Sequence, residues 1–369
     1  MSIVLRPVYY NDDWQRWTAP QSHSLEEVRH FHRSLPNYKP TGLVKLDDLA
    51  QEIGVRAIYL KDEGSRFDLP SFKILGASWG TFRAIAFQLD LPLASELKDL
   101  KLAVKETQIT LHAATDGNHG RAVARMGRWL NVPVKIRVPS GMHASTIKLI
   151  ESEGAKVIVS NGSYDDAVLE AQAASHEHGG LLIQDFAFGD YQDIPQWIVD
   201  GYSTMMSEIE EQLDGQHATH VFAPVGVGSF AQAVTSFFRR QGSSTTVIGV
   251  EPDVAACLRE SLECGRSTAI KTSPTIMAGL ECGTVSTTAW PVLSQGLQAS
   301  MTVSDYEAHQ ASGYLGMQGI SAGPCGGSTV AALRRLSLED KKRLGMTAES
   351  IIILPCTEGA REYDVPQEP

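Results

Sequence analysis

From residue 109 to 184, short runs of apolar residues alternate with longer segments in which apolar positions recur at helical spacing. The runs 109–114, 133–138, 156–159 and 181–184 read as strands. The segments 120–130, 144–152 and 164–176 read as helices, the second broken by Gly154 and the third stopped by Gly179 and Gly180. Strands alternating with helices of this length predict βαβ units and a parallel sheet, so 109–185 forms a self-contained unit.

The flanks carry the same grammar with longer gaps. Upstream, 46–53 predicts a helix, 57–61 a strand, 74–87 a helix, and 96–108 a helix with its connection. The first forty residues, with Trp14, Trp17, Pro36 and Pro40, read as an irregular arm. Downstream, 197–213 predicts one long helix. Strands follow at 220–223, 246–250, 301–303 and 351–354, with a Gly-rich turn and a helix to Arg239 after the first. No internal repeat interrupts this order. The expectation is an α/β protein of two parallel-sheet, three-layer domains: residues 1–76 with 190–369 as the larger, and 77–189 as the smaller.

Composition narrows the partners. A chain of 369 residues has room for two domains, and a formal net charge of -11 disfavours nucleic acid and anionic membrane surfaces. Apolar runs such as 351–354 are far too short to span a bilayer. Residues 1–17 hold no apolar signal-peptide core. The five cysteines are scattered without a C-x-x-C pair, which suits a reducing cytoplasm. Cys257 and Cys282 are open to pairing in space or to remaining as buried free thiols.

Candidate chemistry lies at three places. Lys73 follows Pro70 at the head of an apolar helix, between Phe72 and Ile74. A desolvated lysine can attack a carbonyl, although a lysine at a helix start can also simply snorkel to solvent. Thr115-Asp116-Gly117-Asn118-His119-Gly120 lies at the C-terminal end of a predicted strand, where open α/β sheets bind ligands; the same residues suit a capping turn. Gly226-Val227-Gly228-Ser229 follows a strand and opens a helix, the make-up of a phosphate cradle. With Glu251 closing the next strand, that turn also satisfies a dinucleotide fingerprint, so a nicotinamide- or flavin-dependent oxidoreductase competes. No metal site is expected: His176-Glu177-His178 reads as a solvated helix end. H-E-x-x-H, G-x-S-x-G and Walker motifs are absent. Cys325 and Cys356 are nucleophile candidates by residue type alone, and Ser163 with Tyr164 reads as a helix cap.

Taken together, Ser71-Phe72-Lys73, Asn118-His119-Gly120 and Gly226-Val227-Gly228-Ser229 resemble, in order and spacing, the fold-type II pyridoxal-phosphate enzymes, the family of the serine/threonine dehydratases and the tryptophan synthase β chain. Within that family the chain is most similar to the diaminopropionate ammonia-lyases. That likeness runs through Arg66-Phe67, Thr115 to Arg121, Gln184-Asp185, Tyr191, Gly201-Tyr202, Thr275 to Leu280 and Thr357-Glu358-Gly359. It implies pyridoxal phosphate as cofactor, with Lys73 as its covalent anchor. Asn118 would meet its 3-oxygen, the backbone of Gly226 to Ser229 its phosphate, and Thr357 its pyridine nitrogen. It further implies Lys73 and Asp116 as bases for L- and D-amino acids, and Thr115, Asp185 and Tyr191 near the substrate. The reaction implied is β-elimination from 2,3-diaminopropionate to pyruvate and ammonia, in a cytoplasmic homodimer. A serine/threonine dehydratase or β-replacement enzyme on another small amino acid, and a catalytically dead binding protein, stay open beside it. Where these lyases show Gly-Glu-Ser-Gly, this chain has Gly323-Pro324-Cys325-Gly326, and the lost acid bears on the leaving group.

Overall fold

A computed structural model describes residues 6–12, 14, 17–19, 25–115, 117–177 and 179–368. The chain forms two compact units. One comprises the described parts of Met1–Ser22, Pro40–Ser65 and Met205–Pro369; the other those of His23–Lys39 and Arg66–Thr204. The second is wider than the 77–189 read from sequence, because the helix Lys73–Gln88 packs with its own unit. A Cβ at Gly76 would lie 2.5 Å from Tyr202 Cε1, and one at Gly80 2.5 Å from Ile198 Cγ1. Bare backbone at both positions lets this helix lie directly on Asp193–Gly201.

In the first unit, the strands β1 (Tyr9–Tyr10), β2 (Leu43–Lys45), β3 (Ala57–Asp62), β8 (His220–Pro224), β9 (Thr246–Pro252), β10 (Ala299–Val303) and β11 (Ile351–Cys356) form one sheet. Their order is β1-β10-β9-β8-β11-β3-β2. β1 and β2 are antiparallel edges; the other neighbours run parallel. β8, β9, β10 and β11 are buried along their whole lengths, as strands covered on both faces must be. The core gathers Phe222, Ile248, Met301, Ile352 and Leu354 with Val330 and Leu333 of the helix Pro324–Arg335. Charge is sealed inside as well: Lys61 of β3 is fully buried and its Nζ donates to Glu208 Oε2 at 2.8 Å, Gln212 Oε1 at 2.8 Å and the Thr41 carbonyl at 3.0 Å.

In the second unit, β4 (Leu111–Ala114), β5 (Val134–Val138), β6 (Lys156–Val159) and β7 (Leu181–Leu182) form a parallel sheet ordered β6-β5-β4-β7. Phe31, Trp79 and Phe82 stack in its helical layer, with Phe31 and Phe82 centroids 4.5 Å apart.

Two sequence expectations are corrected. The arm of the first forty residues holds the helix Leu25–Ser34 and the edge strand β1. The single helix expected over 197–213 is two, Asp193–Gly201 and Ser203–Gln212, broken at Tyr202. A Cβ at Gly201 would meet the Leu75 carbonyl at 2.6 Å, so the break falls where the chain presses on the Lys73 helix.

Candidate active site

Lys73 is the first residue of its helix, and its side chain is 22% exposed. Nζ donates to Asp185 Oδ2 at 2.5 Å and stands 5.4 Å from the Phe72 ring centroid. Asp185 follows β7 and is buried. His119 brings Nδ1 to 3.7 Å from the same Asp185 oxygen, while its Nε2 donates to the Ile183 carbonyl at 2.7 Å. Burial pushes the Asp185 carboxyl up, but the charges of His119 and Lys73 and the Lys73 hydrogen bond outweigh it and hold the group at about 2.

The turn before the helix Asn118–Leu130 is built by Thr115, whose buried Oγ1 accepts from the Gly117 and Gly120 amides, each at 2.9 Å. Gly120 must be glycine, since a Cβ there would lie 2.4 Å from Thr115 Cγ2. Asn118 is partly exposed at the helix start. Asp116 lies outside the described residues. Tyr191 turns its hydroxyl to the backbone, donating to the Leu182 carbonyl at 2.7 Å and accepting from the Gln184 amide at 2.9 Å. It thereby fixes the segment that carries Asp185. Gln184 continues the network through Ala114 N and the Tyr164 hydroxyl.

The first unit carries the other predicted groups. Gly226 and Val227 are partly exposed at the end of β8, and Ser229 begins the helix Ser229–Phe238. Amides in the first turn of a helix have no intrahelical acceptor. Gly228 has φ 94°, and a Cβ there would lie 2.9 Å from Leu293 Cδ1; one at Gly226 would lie 2.9 Å from the Gly279 carbonyl. Side chains are excluded at Gly226 and Gly228, which leaves bare backbone at both positions, a make-up that suits a phosphate. Thr357 follows β11 and is buried, presenting a neutral hydroxyl that suits an unprotonated pyridine nitrogen.

Glu251 does not face a ligand. It is fully buried, and its two oxygens accept from the Leu258 and Arg259 amides at 2.7 and 2.8 Å, capping the helix Cys257–Cys264. Burial pushes its carboxyl up to about 8 against these bonds. The ribose role that a dinucleotide reading needs is therefore closed to it. Cys325 and Cys356 are buried, which drives both thiols well above their ordinary range and leaves them poor nucleophiles. No disulfide links Cys257 to Cys282. His176 and Glu177 are exposed at a helix end, and His178 lies outside the described residues. Among the described residues no group of three potential ligands could hold a metal.

Sequence reading placed Asp185 near a substrate but missed its pairing with Lys73. Its position just past a parallel strand, on the ligand-binding side of an open sheet, is the signal that could have found it.

Residues 35–355 match the family model described as "Pyridoxal-phosphate dependent enzyme". Diaminopropionate ammonia-lyase of Salmonella typhimurium is 32% identical over 92% of this chain and 90% of its own. That of Escherichia coli is 34% identical over 90% and 87%. The crystal structure of the Escherichia coli enzyme in complex with D-serine superposes with a TM-score of 0.88 at 29% identity, covering 96% of this chain and 93% of that one.

Proposed function

The chain belongs to the pyridoxal-phosphate-dependent enzymes, and on that premise we propose that it is an ammonia-lyase that releases pyruvate and ammonia from 2,3-diaminopropionate. The observation that carries this reading is Lys73 at a helix head, ion-paired to buried Asp185 beside the Thr115–Gly120 turn, in a chain alike along its length to lyases of that name. Lys73 would anchor the cofactor covalently and Asn118 would donate to its 3-oxygen. The amides of Gly226, Val227, Gly228 and Ser229 would hold its phosphate, and Thr357 would face its ring nitrogen.

When bound, pyridoxal phosphate supplies the electron sink that makes the substrate Cα proton removable. The Lys73 amine, once free, takes that proton from an L-amino acid, and Asp185 at hydrogen-bond distance stabilises the ammonium so formed. Asp116 takes it from a D-amino acid. Thr357, being neutral, would offer the ring nitrogen a hydroxyl but no counter-charge, and so would not stabilise a protonated ring. A homodimer in the cytoplasm is part of the same proposal and rests on the family likeness alone. Among the described residues no helix is long and apolar enough to cross a membrane.

One observation favours a second reading of the substrate. Pro324 and Cys325 begin the helix Pro324–Arg335 without an acid of their own, and the Cys325 amide donates to Glu358 Oε1 at 3.2 Å. A dehydratase acting on serine or threonine needs no acid for a β-ammonium. The test is oxo-acid and ammonia release from D- and L-diaminopropionate, serine and threonine, with borohydride trapping mapped to a residue. Diaminopropionate turnover with Lys73 labelled supports the lyase; serine or threonine turnover alone supports the dehydratase. A colourless protein that binds a nicotinamide nucleotide refutes both.

A further inference from the structure

In the turn that leads through Pro70 to Lys73, Phe67 and Asp68 have φ of 53° and 61°. Residues with a Cβ enter this left-handed region at a cost, and bulky ones rarely, so the surroundings must impose it. Arg125 supplies the hold. Its NH1 donates to the Phe67 carbonyl at 2.7 Å, while Nε and NH2 engage the two oxygens of Glu153 at 2.6 and 2.9 Å. Glu153 is buried, so the guanidinium is fixed before it meets the turn. The buried Phe67 ring closes the grip, edge-on to Trp129 at 5.6 Å and tilted against Tyr38 at 6.0 Å. Asn37 Nδ2 donates to Asp68 Oδ2 at 3.4 Å. Arg125 and Trp129 stand one helical turn apart on Asn118–Leu130. The helix that begins at Asn118 thus grips the turn that delivers Lys73.

We propose that Arg125, oriented by Glu153, is a positioning residue for Lys73: it clamps the left-handed Phe67–Asp68 turn and so holds the lysine in fixed relation to Asn118 and Asp185. Planar bidentate pairing plus a third donor is geometry that lysine cannot reproduce. The inference rests on the lyase reading for its consequence in turnover, but not for its structural half.

The experiment compares wild type, Arg125→Lys, Asp68→Gly and their combination. In the cofactor-free chain, acylation of Lys73 by acetic anhydride is measured by mass spectrometry against exposed Lys148 in the same molecules. Arg125→Lys should raise relative Lys73 labelling several-fold. Glycine at exposed position 68 adopts the left-handed conformation without strain, so the combination should return labelling toward wild type. In the loaded enzyme, kcat of Arg125→Lys should fall roughly a hundredfold while KM moves little. Earlier melting with wild-type labelling and kcat would show that Arg125 only stabilises the fold, and would overturn the proposal. Should Arg125→Lys not fold, Glu153→Gln carries the same expectation in smaller measure, and unchanged labelling there overturns it equally. If the wild type does not act on diaminopropionate, the substrate reading fails while the labelling comparison still decides the clamp.

Discussion

Lys73 Nζ and Asp185 Oδ2 stand 2.5 Å apart, and His119 faces the same carboxylate oxygen from 3.7 Å. The Asp185 carboxyl is held at about 2, below its ordinary value near 3.9. A carboxyl depressed in the folded state adds stability above its unfolded value, and that stability fades as pH falls through the folded one. Here it is fully present above about pH 4 and gone below about pH 2. Asp185→Asn should cost the cofactor-free chain about 2 kcal/mol at pH 7. In urea titrations across this window, the gap between variant and wild type should close toward pH 2. A gap that stays constant with pH would refute the ion pair as its source.

Asp116→Asn should impair turnover of D-diaminopropionate far more than of the L-enantiomer, by about 100-fold or more for a lost general base. Lys73→Ala should abolish both. Steady-state assays with each enantiomer check this, and equal loss on both would argue against two bases.

Gly228→Ala should weaken cofactor binding. The left-handed φ and the 2.9 Å approach to Leu293 force the phosphate turn to move, at about 1–3 kcal/mol. Titrating the cofactor-free chain with pyridoxal phosphate, followed by visible absorbance, should show roughly a tenfold or larger rise in Kd. Unchanged affinity would mean that the turn does not carry the phosphate.

Glu208→Leu should destabilise by about 3–5 kcal/mol, because it removes a carboxylate paired with the fully buried Lys61 ammonium. Adding Lys61→Met should recover much of that loss. Chemical denaturation of the four chains gives the coupling directly; additive losses would deny it.

How far the sequence could be read depended on which force shaped each element. β8, β9 and β11 were legible because parallel strands covered on both faces need unbroken apolar runs, as in Ile351 to Leu354. The edge strands β1 and β2 are two and three residues long and leave no period to detect. The break at Tyr202 has its cause in Leu75, far away in the chain, so helical spacing ran straight through it. The site divided the same way. Lys73, the Thr115–Gly120 turn and the Gly226–Ser229 turn announced themselves by local residue types. The pairing of Lys73 with Asp185, 112 positions on, is visible only after folding. Glu251 shows the reverse case, a residue in the right place for a ligand that folding commits to a helix cap.

The bare stripe of Gly76 and Gly80 has a consequence for motion. Because no side chain separates the Lys73 helix from Ile198 and Tyr202, neither helix can slide or roll without backbone colliding with side chain. Lys73 and the helix reached from Asp185 are therefore carried as one piece. Whatever breathing the second unit undergoes during a turnover cycle, the reactive amine keeps its bearing on the carboxylate.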